Sequence, residues 1–414
     1  MTLFRIALRN VWKNRRRSLV TIAAVTLGYA AVGVFRGYTH SAYEMISLAA
    51  VFLEGPGHLA VFKEGFLDKG KIDPARYLFS PEEIETVRAA AAEFPEVTWV
   101  APKLSVTGLI TNGEISTLFV ADGMDPRDER ALWARWSFSR PPRAGSDKIL
   151  PDHPSYAAFV APKLAELLGL GPGDNAVLMA TTQGGQMNAA DIEVTELYPP
   201  LSDAVDDKYV RLHLVHAQDL YDFAGADRVC ILLQDKNMVP GVRDRLRDRF
   251  AAHGVTTEIR SWDELSVFYQ TVKNYLDVIF SFIFVIVMLI VVMGTFNTMS
   301  MTVLERTREV GTLRAMGLKP RATVALFCWE GAVLGGIGSC AGAVLTGGVY
   351  LALRFAELTY KPPGVAGEIP IEIDFVPEVL LGTLVFFTFL SVVSAALPAR
   401  RAARQNIVEA LSHA

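Results

Sequence analysis

Cysteine is nearly missing from this chain. Only Cys230, Cys328 and Cys340 occur among its 414 residues, and the last two fall inside an apolar run, which leaves Cys230 without a partner. No disulfide framework and no thiolate metal site can be built from that set. Excess positive charge is lacking as well. The formal net charge is −4, and the basic residues gather beside apolar runs instead of forming a stripe, which excludes a nucleic-acid binder. No Ser/His/Asp arrangement, metal cluster or nucleophile elbow stands out. The chain therefore reads as non-enzymatic, with no metal or cofactor of its own, and any energy it uses must come from a partner.

Three motif fragments are set aside. Gly65-Phe-Leu-Asp-Lys-Gly-Lys71 has the glycine and lysine spacing of a P-loop, but Ile72 stands where Ser or Thr must hold Mg²⁺. Gln183-Gly-Gly-Gln186 is similar to the signature of ABC ATPases, yet no Walker A precedes it. His213 and His216 suggest a metal pair, but on a strand that spacing points them to opposite faces.

What the chain has in quantity is apolar length. It is 51% hydrophobic and 20% charged, with a mean hydropathy of +0.28. Ser18–Phe35, Leu276–Met301, Ala322–Leu353 and Val376–Leu397 each approach the roughly 20 apolar residues that span a bilayer. The flanking charges orient them. Arg5, Arg9, Lys13 and Arg15-Arg16-Arg17 precede the first run, Arg306, Arg308, Arg314, Lys319 and Arg321 follow the second, and Arg400, Arg401 and Arg404 follow the fourth. After the third come only Arg354 and Lys361, against Glu357, Glu368, Glu372 and Asp374. By the positive-inside rule both termini and the 302–321 loop are cytoplasmic. The expected fold is an α-helical membrane protein with four transmembrane helices (1+3) plus a large α+β extracytoplasmic domain between helices 1 and 2.

In chain order the expected parts are a cytoplasmic amphipathic N-terminal helix at 1–17, a first span at 18–36, the extracytoplasmic domain at 37–274, a second span at 275–301, a cytoplasmic loop at 302–321, a third span at 322–353, a short outer loop at 354–375, a fourth span at 376–398 and a cytoplasmic tail at 399–414. The basic segment before the first apolar run is read as leading into an uncleaved anchor, with a cleaved signal as the alternative. Phe4, Leu8, Val11 and Trp12 share a helical stripe suited to the membrane interface, a solvated basic lead-in being the plainer alternative.

Within 37–274, Ser80-Pro-Glu-Glu83 predicts a capped helix running to about Phe94. Asn112-Gly113 predicts a hairpin between runs at 106–110 and 115–121. Pro141 to Pro154 is a candidate lobe boundary. A helix at 162–170 and strands at 176–180, 192–198, 209–215, 229–233 and 256–260 complete a mixed α+β pattern, with helices at 217–223 and 239–253. Ser261-Trp-Asp-Glu264 is a second capping box, whose helix is expected to run without a break into the second span.

The segment Glu305-Arg-Thr-Arg-Glu-Val-Gly-Thr-Leu-Arg-Ala-Met-Gly317 is a charged helix that hydrocarbon would reject. Val310, Leu313 and Met316 or Gly317 recur at helical spacing, with Arg306, Glu309 and Arg314 around them. It is read as a docking surface for a soluble cytoplasmic partner, with Glu305, Arg306, Arg308, Glu309, Val310, Leu313, Arg314, Met316 and Gly317 as its residues. In the third span Gly331, Gly335 and Ser339 are spaced by four, with Gly338 and Gly342 beside them, a single ridge for helix packing. Whether the neighbour is intramolecular or a second subunit stays open. Glu330 lies two turns into that span, either as a functional acid or as the partner of a basic residue such as Arg314 or Arg321.

With that segment in hand, the chain resembles the transmembrane subunits of the FtsX/MacB/LolC–LolE superfamily of ABC transporters. The 305–317 segment is similar to the family's coupling helix. Glu330-Gly331 with the glycines after it, and Pro398-Ala-Arg-Arg-Ala-Ala-Arg404, are similar to its usual ending. Gly57-His-Leu59 and Val160–Leu170 resemble pieces of its external domain.

The resemblance implies a permease without a fused ATPase domain, working in the bacterial inner membrane with a cytoplasmic ABC ATPase dimer that binds ATP and Mg²⁺. It implies a second permease subunit, the same chain or a homologue, in contact with membrane lipids, and a periplasmic carrier or adaptor as a further candidate partner. Lipoprotein release or export of an amphipathic substrate is the implied work. The alternative is an ATP-driven signalling scaffold that activates an external partner such as a cell-wall hydrolase, without transport.

Overall fold

The computed structural model describes residues 2–70, 72–135, 148–153, 156–200, 202–356, 358–360 and 369–404. Most of the Pro141–Pro154 connection, Lys71 of the P-loop-like stretch, much of the 354–375 loop and the tail from 405 lie outside the described residues. The chain divides into two compact units, one of residues 1–43, 273–358 and 370–414, the other of 44–272 and 359–369.

Four helices among the described residues are long and apolar enough to cross a membrane. The first, Arg15–Leu48, follows a separate helix Thr2–Lys13 and continues through a turn of π-helix at Ala49–Leu53. It thus runs well past residue 36, because Gly37 is a packing position and not a stop: a Cβ there would lie 2.6 Å from the Asp374 carbonyl oxygen. The second, Val267–Glu305, is preceded by a short helix Trp262–Leu265 that carries the expected Ser261 capping box. Ser266, at ψ +91°, interrupts the two, so the expected unbroken helix is not formed.

The third is Pro320–Ala356 and the fourth Pro377–Arg404, which passes through Pro398 instead of ending there. A proline inside a helix forfeits one backbone hydrogen bond. Here it is buried beside Ala399 and Ala402, which pack with Val303, Val310 and Phe327. Hydroxyls tie the helices together where water is scarce: Thr21 to Thr298 at 2.6 Å, Thr26 to the Gly338 carbonyl at 3.1 Å and Tyr29 to the Leu380 carbonyl at 2.7 Å.

The other unit is built on nine strands: β1 (Leu59–Lys63), β2 (Val97–Thr111), β3 (Ser116–Met124), β4 (Ala157–Val160), β5 (Asn175–Thr181), β6 (Met187–Leu197), β7 (Tyr209–His213), β8 (Arg228–Leu233) and β9 (Thr257–Ser261), in the order β3-β7-β4-β6-β5-β2-β8-β1-β9. A further β2–β3 pairing closes the six strands from β3 to β2 into a ring. β2 serves both parts: residues 97–103 pair with β8, and 104–111 pair with β3.

Closure removes the edges of that ring, and its interior is filled by Leu104, Val106, Ile110, Phe119, Leu178 and Val194. The four-strand part is covered by the helices Pro81–Ala92 and Val239–Ala252 through Val87, Leu246 and Phe250. The hairpin forms at Asn112-Gly113 with Gly113 at φ +96°, a conformation that glycine adopts without penalty.

Candidate functional site

The coupling segment is built from a break. The second apolar helix ends at Glu305, Arg306 is non-helical at φ −107°, ψ 12°, and a new helix runs from Thr307 to Ala315. Gly317 at φ +99° closes it, with the Leu318 amide donating to the Leu313 carbonyl at 3.0 Å. The residues grouped by spacing do not stay together. Val310 is only 4% exposed and packs with Val303, Phe327, Ala399 and Ala402, whereas Met316 is 73% exposed and Leu313 also faces outward. Arg306 is turned inward too. The accessible face therefore carries Glu305, Arg308, Glu309, Leu313, Met316 and Gly317, with Arg314 half-buried at its margin. Val310 and Arg306 belong to the bundle, because burying Val310 among apolar neighbours gains more than exposing it.

Glu330 is 2% exposed. Its Oε1 accepts from the Arg306 guanidinium at 2.7 Å and from Asn10 Nδ2 at 2.7 Å. The expected partners Arg314 and Arg321 are not those the structure supplies. Arg306 also donates to Glu309 at 2.9 Å and stands 5.8 Å over the Phe327 ring. No spacing rule links positions 10, 306 and 330, which is why Asn10 and the choice of Arg306 escape the sequence.

The glycines of the third helix share one stripe but meet two different helices along it. A Cβ on Gly331 would lie 2.8 Å from Ala395 Cβ, and one on Gly335 would lie 2.7 Å from Ser391 Oγ, so this pair meets the fourth helix. A Cβ on Gly338 would lie 2.7 Å from Val25 Cβ, and one on Gly342 would lie 2.7 Å from Tyr29 Cβ, so these meet the first. Ser339 is fully buried. At 3.6 residues per turn all four positions lie on one stripe, so the change of neighbour comes with height along the helix and not with rotation about it.

The sheet unit holds a second concentration of charge. Burial pushes Asp122 up, but Lys103 at 3.0 Å and Arg228 at 3.2 Å outweigh it and hold the carboxyl well below its usual range. Arg228 also bonds Ser105 and faces Asp227. Arg211 pairs with Glu129, donates to the Leu53 carbonyl at 3.1 Å and lies 3.9 Å over the Tyr198 ring. Lys103 also donates to the Glu54 carbonyl.

The C-terminal end of the π-helical turn is thus held by two cations, which suit a helix C-terminus. Glu54, Lys103, Asp122, Glu129, Tyr209 and Arg211 line one small cavity. Burial pushes the Glu54 carboxyl up to about 7, against the nearby Lys103 charge. This network pairs charge with charge, and Ser105 Oγ donates to Asp122 at 2.6 Å within it. Its only sequence signal is charged residues standing inside strand-forming apolar runs.

The set-aside motifs find ordinary places. Gln183–Gln186 is the turn between β5 and β6, where the Gln186 amide donates to Thr182 Oγ1 at 3.2 Å. β7 stops at His213 and a helix begins at Leu214, so His213 and His216 do not share a strand as expected. Burial lowers the pKa of both. Among the described residues no group of three or more His, Cys, Asp or Glu is placed to hold a metal.

Four helices long and apolar enough to cross a membrane, with a charged helix between two of them, suit a multi-pass membrane protein. Residues 281–407 match the family model described as FtsX-like permease C-terminal. The ABC transporter permease YtrF of Bacillus subtilis is 29% identical over 180 residues, 42% of this chain and 40% of that protein. The lipoprotein-releasing system transmembrane protein LolC of Haemophilus influenzae is 26% identical over 279 residues, 64% of this chain and 66% of LolC. The pyoverdine export ATP-binding/permease protein PvdT of Pseudomonas putida is 24% identical and aligns with 98% of this chain but 59% of its own length.

The chain thus spans less than two thirds of the length of YtrF and PvdT. Among solved structures, the extracellular domain of YknZ from Gram-positive bacteria is similar with a TM-score of 0.33 at 14% identity, covering 49% of this chain and 98% of that one. The periplasmic region of MacB from Actinobacillus actinomycetemcomitans has a TM-score of 0.34 at 11% identity, covering 52% and 92%. Residues 281–407 are thus similar to the FtsX-like permease C-terminal domain, and the chain is similar to ABC transporter permeases, LolC among them.

Proposed function

We propose that this chain couples ATP hydrolysis by a separate cytoplasmic ATPase dimer to motion of its extracytoplasmic α+β domain, with both termini in the cytoplasm of a bacterium and the four helices in its inner membrane. ATP and Mg²⁺ are bound by the partner. A second permease, the same chain or a homologue, completes the assembly. Its work on this reading is the release of lipoproteins, or the export of another amphipathic substrate, from the outer face of the membrane. The kinship with LolC supports the lipoprotein arm.

One observation carries the coupling role. Arg308, Glu309, Leu313 and Met316 are exposed together on a short helix between two apolar helices. A mixed charged and apolar patch on a helix is suited to a groove on a protein partner.

The test is co-purification of the full chain with ATPases encoded beside it, comparing wild type with Leu313→Asp and Arg308→Glu. Loss of the ATPase from both variants is expected, and retention in both overturns the docking assignment. Lipoprotein found with the wild-type complex supports release. Capture of a cell-wall hydrolase with no lipid-modified cargo overturns transport in favour of signalling.

A further inference from the structure

Three parts of the chain far apart in sequence meet at one oxygen. Glu330 Oε1, on the third apolar helix, accepts from Asn10 of the N-terminal helix and from Arg306 of the coupling break, each at 2.7 Å. The Arg306 side chain is 14% exposed and Glu330 is nearly fully buried, so the pair is sheltered from competing water. Sheltered charge-assisted bonds are directional and hold geometry better than exposed ones.

Arg306 is the one non-helical residue between the second apolar helix and the coupling helix. Its side chain therefore reaches from the pivot of that joint to a fixed point on the third helix. Neighbouring contacts keep the N-terminal helix in place for its share. Phe4 packs edge-on to Trp329 with ring centroids 5.6 Å apart, and Val11 packs with Val333 and Leu334.

We infer that Asn10, Glu330 and Arg306 form a latch that sets the direction in which the coupling helix leaves the second apolar helix, with Asn10 making the N-terminal helix part of the coupling apparatus. Asn10 and Glu330 are positioning residues: neither lies on the exposed face of the coupling helix, and both act through Arg306. Its importance to ATPase coupling rests on the function proposed above, whereas the geometry of the latch does not. With Glu330 uncharged, the Arg306 guanidinium loses its buried counter-charge and is drawn toward water, and the joint loosens. An aspartate at position 10 beside an intact Glu330 places two carboxylates at one cation and loosens it by repulsion.

The test uses the full chain in lipid nanodiscs, with Cys328 and Cys340 replaced by serine and spin labels at Arg9→Cys and Ala315→Cys, both exposed positions. A single narrow distance distribution is expected for the otherwise unchanged chain. Glu330→Gln and Asn10→Asp should each lose that narrow peak. The double variant Asn10→Asp with Glu330→Gln should regain it, because the carboxylate and the amide have exchanged places around the same guanidinium. Such rescue would not follow if either residue served only to fill space.

An unchanged peak in both single variants, or a double variant as broad as either, overturns the latch. Should Glu330→Gln fail to fold, Asn10→Ala removes one hydrogen bond without removing the ion pair and is read against the same two outcomes. No ATPase is present in this measurement. Failure to capture an ATPase by co-purification would remove the coupling role and leave the latch, while an unchanged peak would remove the latch alone.

Discussion

The two units of this molecule differ in what they leave exposed. The sheet unit hides its apolar side chains, from Leu104 and Phe119 inside the strand ring to Leu246 and Phe250 under the helices. The helical unit turns many of its own outward: Val278, Phe282, Leu289, Ile290 and Met293 of the second apolar helix are exposed. Between the helices, small and polar residues such as Gly331, Gly335, Ser391 and Glu330 are buried beside apolar ones such as Val25, Val291 and Phe387. Water drives the first arrangement through the hydrophobic effect. In hydrocarbon that drive between helices disappears, and close approach and hydrogen bonding take over.

The comparison extends to charge. The sheet unit buries several ions in a balanced network, whereas in the helical unit Glu330 stands with Arg306 and Asn10.

The largest effect expected from breaking this contrast is at Arg211. Replacing it with methionine leaves Glu129 buried without its partner and removes the cation over Tyr198. The loss should be about 3–5 kcal/mol, read as chemical unfolding of the sheet unit in the full chain.

Next is a pH effect concealed by cancellation. Burial lowers the His58 pKa to about 4, and its Nδ1 accepts from the Leu233 amide at 3.1 Å. Its folded pKa lies below the unfolded value of 6.5, so the unfolded chain binds the extra proton and stability rises between pH 4 and 6.5. Glu54 is raised from 4.5 to about 7, so the folded chain holds the extra proton and stability falls over that window. Each contribution is at most about 3 kcal/mol. The unfolding midpoint should change little where the two windows overlap. Glu54→Gln should make it rise with pH, and His58→Asn should make it fall. Flat profiles in both variants would falsify the assignment.

In the helical unit, Gly338→Val should cost about 1–3 kcal/mol by overpacking against Val25. Gly347→Val, where a Cβ meets nothing within 4 Å, should cost far less, with detergent-titrated unfolding as the readout. The smallest change is expected at the surface. Arg249→Ala breaks an exposed pair with Glu93 and should shift stability by about 1 kcal/mol or less in the same denaturation assay.

Much of the fold could be read residue by residue. The Ser80 and Ser261 capping boxes, the Asn112-Gly113 hairpin and the helix after Pro162 rest on signals within a few residues of each other, and each formed. β4 and β1 escaped. Ala157–Val160 is four residues long and wholly buried, so it lacks the alternation that marks a half-buried strand. Gly37 and Pro398 look like stops but sit inside helices: Gly37 lets the Asp374 carbonyl of the same chain come close, and Pro398 is buried within the fourth helix. The candidate site was legible as a charged segment. Which of its residues face outward was not, since helical spacing groups Val310 with Leu313 and Met316 while packing separates them.

The amino-acid sequence by itself determined where the four apolar helices lie, where a charged helix interrupts them, and how the capped helices and the hairpin begin and end. Those outcomes depend on run length, periodicity and turn chemistry, which are properties of adjacent residues. Tertiary structure alone decided that β2 closes a ring while pairing with β8, that Gly331 and Gly338 serve different helices, and that Asn10 and Arg306 share one oxygen of Glu330. Asn10 and Glu330 are separated by 320 positions. No local preference records such a pairing; it arises when packing brings the two side chains within hydrogen-bonding distance.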